Sequence, residues 1–211
     1  MKPTLKKIVG VLIAIFILWI AYFGTLRPLT KSQIFINTLR NLNSARSLSD
    51  FKKILSVPLD YSSPIGQEEL VRNSANIVLG LVQQNSDPKL IADTLDYIES
   101  YYMPLINRGR GMSFEQNLYI LGAINELAFT KTNQTNYLAD AQKYYTEGLS
   151  LGPKRPQFLY GMFDVYRIEG NVTGAVSIAQ QIMNQWPADT RTSQALDQFL
   201  AQVRSATSSL K

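Results

Sequence analysis

The chain has 211 residues, with 21 Lys and Arg against 16 Asp and Glu, a formal net charge of +5, and neither cysteine nor histidine. This length suits one ordinary domain with an appendage rather than two full domains. Without cysteine there are no disulfides, thiol nucleophiles or Cys-ligated zinc, and without histidine no Ser-His-Asp triad or His-bearing metal site. Only carboxylate, Lys or Tyr chemistry survives this filter. No catalytic residue, metal site or cofactor is therefore assigned, and a non-enzymatic role is expected.

The basic surplus is local. Lys2, Lys6, Lys7 and Arg27 precede residue 28, a stretch without any acid, and the remaining 17 basic side chains meet 16 acidic ones. A nearly neutral body lacks the clustered Lys and Arg of a nucleic-acid face, so no nucleic-acid partner is expected. From Ile8 to Leu26 runs IVGVLIAIFILWIAYFGTL, nineteen residues without a charge. At about 1.5 Å per residue a helix of that length matches the hydrocarbon of a bilayer. Trp19, Tyr22 and Phe23 fall toward one end, where amphipathic rings favour the headgroup level. A cleaved signal peptide is the nearest rival, since Lys6-Lys7 makes a proper n-region. Cleavage wants small residues at −3 and −1, however, and Ala21 pairs with Phe23, Tyr22 with Gly24. The reading is a short cytoplasmic tail over 1–7 and an uncleaved anchor over 8–26. The bias of positive charge puts the N-terminus in the cytoplasm and the rest outside it. Gly10, Ala14 and Ala21 share one stripe of this helix, a face on which another helix could pack.

Beyond Pro28 the apolar residues keep a helical period, with Gly, Pro and Asn as punctuation and no alternating strand pattern. Helices are predicted near 30–42, 48–56, 64–85, 88–106, 113–130, 136–151, 156–169, 172–186 and 190–207. Asp87-Pro88 supplies an N-cap and a proline at the first helical position, and Ser113-x-x-Gln116 fits a capping box. Paired helices with short turns suggest an array of α-hairpins. A period appears toward the C-terminus: Ala141 lies thirty-four residues before Ala175, and Pro153 thirty-four before Pro187.

In residues 156–189, PQFLYGMFDVYRIEGNVTGAVSIAQQIMNQWPAD, the markers are Tyr166, Gly170, Ala175 and Pro187, and the segment resembles the tetratricopeptide repeat. The alanine lets the second helix approach the first, the glycine ends helix one in a left-handed residue, and the proline stops helix two. Leu121-Gly122, Ala141 and Pro153 mark a second unit with a longer internal loop; Leu79-Gly80, Ala92 and Pro104 mark a third. With the helical period and the apolar run over 8–26, the resemblance gives an all-α chain: one N-terminal transmembrane helix, then, as the resemblance implies, an α-solenoid of degenerate tetratricopeptide-like hairpins. The divisions are a helical linker or degenerate first unit over 27–62, repeats over 63–189, and a capping helix with the polar tail RSATSSLK over 190–211.

The stretches YFGTLRPLTKSQIFINTLRNL, DFKKILSVPLDYSSPIGQEELVRNSANIV and GLSLGPKRPQFLYGMFDVYRIEGN also resemble the C-terminal part of bacterial O-antigen ligase-family membrane proteins. This likeness covers most of residues 20–190 and implies an envelope location with a repeat domain facing outward. The chain has one candidate span and none of the multi-span glycan-handling core, so the family's activity is not carried over.

In hairpin arrays the first helices line a concave groove that holds peptide segments. Aligning the last two units pairs Gln116 with Gln157, Tyr119 with Tyr160 and Glu126 with Arg167, while Asp164 falls one turn beyond Tyr160. These seven form the expected groove for a protein partner, either a peptide segment or a subunit of a membrane complex. The competing reading has the tyrosines packed between helices with wet hydroxyls. Arg108 and Arg110 in the loop NRGRGM read as an ordinary connector, Asp93, Asp96 and Glu99 as a solvated face, and Tyr97, Tyr101 and Tyr102 as core. Asn171 sits in a repeat turn, where a polar residue is expected.

Overall fold

The computed structural model describes residues 3–208 and is helical throughout, with no strand among them. Lys2, and with it part of the charge bias, lies outside the described residues, as do the last three residues of the tail RSATSSLK. The helices are α1 (Pro3–Ala21), α2 (Arg27–Leu42), α3 (Leu48–Asp60), α4 (Gln67–Gln84), α5 (Pro88–Arg108), α6 (Phe114–Thr132), α7 (Thr135–Leu151), α8 (Pro156–Ile168), α9 (Val172–Gln185) and α10 (Thr190–Ser208). The helical period of the sequence thus becomes real helices, with ends close to those predicted.

Pro28 is a correction: it does not open a new segment. Instead α1 passes into α2 through one π-helical turn, Tyr22–Leu26, in which the Arg27 N–H reaches the Tyr22 carbonyl. The physical reason is the proline ring. It removes one N–H and pushes against the carbonyl a turn earlier, and a wider turn relieves that clash without breaking the rod. Thr30 Oγ1 donates to the Leu26 carbonyl at 2.9 Å, taking up an acceptor in the disturbed turn. The run from Lys7 to Leu42 is the one described helix apolar and long enough to cross a membrane, and its apolar side chains from Ile8 to Ile20 are exposed. Two other prolines also sit inside helices. Pro58 lies within α3, which runs to Asp60 rather than stopping at 56, and Pro104 lies within α5.

The chain divides into two compact units, one formed by residues up to Ser74 with Asp96–Ser113, the other by Ala75–Leu95 with Phe114 onward. In the first, α3 packs on α2 and buries Phe51, Leu55 and Leu59. Tyr102 is fully buried there. Tyr97 shares a hydrogen bond with Ser56 Oγ at 3.0 Å, and the Tyr101 hydroxyl donates to Asp60 at 2.8 Å. The α3–α4 loop is tied down by Lys31, whose ammonium donates to the Tyr61 carbonyl at 2.8 Å and to Gln67 Oε1. Arg108 pairs with Glu68, so this arginine of NRGRGM is engaged inside its own unit.

In the second unit each helix packs on its successor from α6 to α10, and α6 also touches α8. Leu118, Leu121, Ile124, Leu159, Val165, Ala175, Ala179 and Ile182 form its core. The turns carry the chemistry their residues suggest. Asp87 Oδ1 accepts from the Lys89 N–H at 2.9 Å and caps α5. Asn171 Oδ1 accepts from the Gly174 N–H at 2.9 Å and caps α9. Gly170, at φ +71°, makes the left-handed turn after α8 that an L side chain adopts only with strain.

The positions marked in the repeats behave unequally. Ala141 and Ala175 are fully buried, and Pro153 and Pro187 follow the ends of α7 and α9. Tyr166 covers Gly174 on the next helix. Pro104 differs from its counterparts, since α5 continues past it to Arg108; that proline does not stop its helix. Ala92 is only half-buried, and a side chain at Gly80 would meet open space.

Candidate functional site

The site forms in the second unit, on the face shared by α6 and α8. Gly122 on α6 and Gly161 on α8 both abut the ring of Tyr145 from α7, and a Cβ at either position would collide with it. Two glycines therefore make a slot for one tyrosine between the two helices. Tyr119 closes over the slot, with its ring 6.3 Å from Tyr145 and 6.2 Å, edge-on, from Phe158. Above this aromatic floor lies an open cavity of about 360 Å³, whose lining includes Tyr119, Glu126, Gln157, Tyr160 and Asp164.

Two pairs of polar groups are engaged at and beside the cavity. The Tyr145 hydroxyl donates to Glu126 Oε2 at 2.8 Å, and Arg167 Nη1 donates to Asp164 Oδ1 at 2.8 Å. Burial pushes the Glu126 carboxyl up to about 7, against the Tyr145 hydrogen bond, which favours the charged form; the nearby Asp164 charge adds to the rise. Asp164 is also raised by burial, with Arg167 opposing. Tyr145 is driven well above the ordinary phenol range by burial and by Glu126 beside it. The cavity thus holds a carboxyl that changes charge near neutrality.

Next to it a second hollow is lined by Tyr160, Asp164, Arg167 and the turn from Ala188 to Thr192. Tyr160 is 37% exposed, stacks on Trp186 at 6.2 Å, and donates its hydroxyl to Asp189 Oδ2 at 2.7 Å. Asp189 also accepts from Thr192 Oγ1 at 2.7 Å, and these hydrogen bonds hold its carboxyl below the usual range. A third hollow, with Phe199 and Gln202 of α10 on its wall, shares Glu126, Asp164 and Arg167.

Of the seven positions read from the sequence, Tyr119, Glu126, Gln157, Tyr160, Asp164 and Arg167 line these adjoining hollows. Gln116 is exposed on α6 one turn before Tyr119. The two tyrosines differ: Tyr119 packs between helices, while Tyr160 stands at the surface with its hydroxyl on Asp189. Tyr145, Trp186 and Asp189 were not foreseen. Tyr145 had a signal in the sequence, since mid-helix glycines such as Gly122 and Gly161 mark close approach. Among the described residues no group of three or more His, Cys, Asp or Glu could hold a metal ion. No protein-family model, curated protein or solved structure matches the chain.

Proposed function

We propose that this chain is a membrane-anchored, non-catalytic scaffold of degenerate tetratricopeptide-like hairpins, with its body on the outer side of a bacterial cytoplasmic membrane. It binds a protein partner through the α6/α8 face. The observation that carries this reading is the convergence of aromatic, amide and carboxylate side chains from two first-position helices on one open hollow. Such a surface offers flat contact area, amide hydrogen bonds and charge, the elements by which an extended or helical peptide is held. The contacts of α6 with both α7 and α8 support the hairpin-array reading, and the apolar run over 8–26 supports the anchor.

A second reading, an accessory part of an O-antigen ligase-like polysaccharide assembly system, draws support from Tyr160 and Trp186. A stacked aromatic pair with Asp189 and Asp164 nearby also suits a sugar ring.

A photoreactive residue at position 160, crosslinked in native membranes, tests both. Capture of one dominant envelope protein, lost when the probe moves to exposed Gln180, is the expected result. Capture of a polytopic glycan-handling protein favours the accessory reading. Recovery of nothing above the Gln180 control refutes the groove.

A further inference from the structure

The first unit contains a cavity that the scaffold reading leaves unused. It measures about 540 Å³ and is predominantly apolar, walled by α2 at Phe35 and Ile36, by Leu70 of α4, and by two loop residues, Ile65 and Met112. Met112 is 96% exposed and Ile65 60%, although each belongs to a loop with polar neighbours. Two bulky apolar side chains held in water beside an apolar hollow cost free energy unless something apolar covers them.

The helix tells what lies near. Because α1 runs into α2 without a break, Pro28 and Lys31, which line the cavity, follow the end of the apolar run at Leu26 by only two and five residues. At 1.5 Å per residue that is roughly 3–8 Å along the axis, in the headgroup layer of a bilayer whose hydrocarbon ends at Leu26, while Phe35 and Ile36 stand roughly 14–15 Å out, so the cavity begins in that layer and rises beyond it within the reach of an acyl chain. Exposed Leu26, Leu29 and Ile36 continue the apolar surface of the span up one side of α2 to the cavity. The Arg27 guanidinium sits 5.4 Å from the Phe23 ring and 5.9 Å from the Tyr61 ring, a cation held between aromatic rings just beyond the span, where a long basic side chain favours the interface. Lys31, 4% exposed, spends its ammonium on the Tyr61 carbonyl and Gln67, and this holds the α3–α4 loop, with Ile65 near its end, against α2 at that level.

We propose that this cavity takes an acyl chain of a phospholipid from the adjacent leaflet, with Met112 and Ile65 closing over it. The inference rests on the anchor reading above and adds a lipid ligand to it. The chain enters along Leu29 and Ile36 while the headgroup stays beside Arg27. No covalent step is involved.

The test uses the full chain reconstituted in phosphatidylcholine/phosphatidylglycerol vesicles. These carry a phospholipid with a diazirine near the end of one acyl chain. After illumination, adducts are mapped by mass spectrometry. The expected map has adducts on Phe35, Ile36, Leu70 or Met112 in addition to those within 8–26. A Ser32→Trp variant, which fills the cavity from α2, loses the first group and keeps the second. Adducts confined to 8–26 in the unsubstituted chain overturn the proposal and leave the anchor standing. Cavity adducts that persist unchanged in Ser32→Trp overturn it as well. No adduct within 8–26 removes the anchor itself, and the proposal with it.

Discussion

Replacing Glu126 with Gln tests the electrostatics of the candidate groove. Glu126 titrates near 7 in the folded chain against 4.5 for a free glutamate, so folding favours the protonated form. The folded state then holds more protons than the unfolded state between those two values, and stability falls as pH rises through that window. A shift of this size corresponds to about 3 kcal/mol at 1.36 kcal/mol per unit, and partial exposure of the side chain reduces it to about 2 kcal/mol. Gln keeps an oxygen that accepts from the Tyr145 hydroxyl but cannot ionise, so Glu126→Gln removes the penalty without emptying the site. At pH 8 the variant should be the more stable by about 2 kcal/mol, or roughly 4–8 °C in Tm for a chain of this size. At pH 5 the difference should shrink to about 0.5 kcal/mol. Asp164 shifts in the same sense, so some slope survives in the variant. The assay is thermal melting by circular dichroism of the full chain in detergent micelles from pH 5 to 8. Parallel curves for wild type and variant across that range would show that Glu126 is not buried as described, and the reasoning would fall.

Gly122→Ala drives a methyl into the Tyr145 ring and should destabilise by about 1–3 kcal/mol, whereas Gly80→Ala adds helix propensity in open space and should stabilise by up to about 1 kcal/mol. Opposite shifts in Tm would check this. Asn171→Ala loses the α9 cap and should cost about 1 kcal/mol, read in the same melts. Lys31→Ala releases the α3–α4 loop from α2. Amide exchange at 61–66 should then accelerate while the helices of the second unit keep their protection.

The helices were legible in the sequence because burial imposes a 3.6-residue period and because Asp87, Asn171 and Gly170 announce the ends of segments in local chemistry. Prolines misled where tertiary packing overrode their local habit: α3 carries Pro58 into its buried face, and α5 carries Pro104 past the point where a repeat would close. The lining of the candidate groove was partly legible: spacing on α6 and α8 brought six of the seven positions to adjoining hollows, but packing decided that Tyr119 lies between helices, Tyr160 at the surface and Gln116 outside them. Its floor was legible only in part: Gly122 and Gly161 mark a close approach, but that the approaching ring is Tyr145 of α7, and that Asp189 meets Tyr160 from 29 residues away, depends on contacts that no local pattern encodes.

The wide turn at Tyr22–Leu26 has a mechanical consequence. An α-helix advances about 100° per residue, so a wide turn sets the azimuth at which everything after it leaves everything before it. The stripe of Gly10, Ala14 and Ala21 and the face of α2 that packs on α3 are therefore locked in phase by a single ring of backbone hydrogen bonds. Excising one residue there would swing the stripe by about 100° relative to α3 while leaving every side chain of both intact. Because α1 continues into α2 with no loop between them, the number of residues in this one turn fixes which face of the span lies in line with the face of α2 that packs on α3.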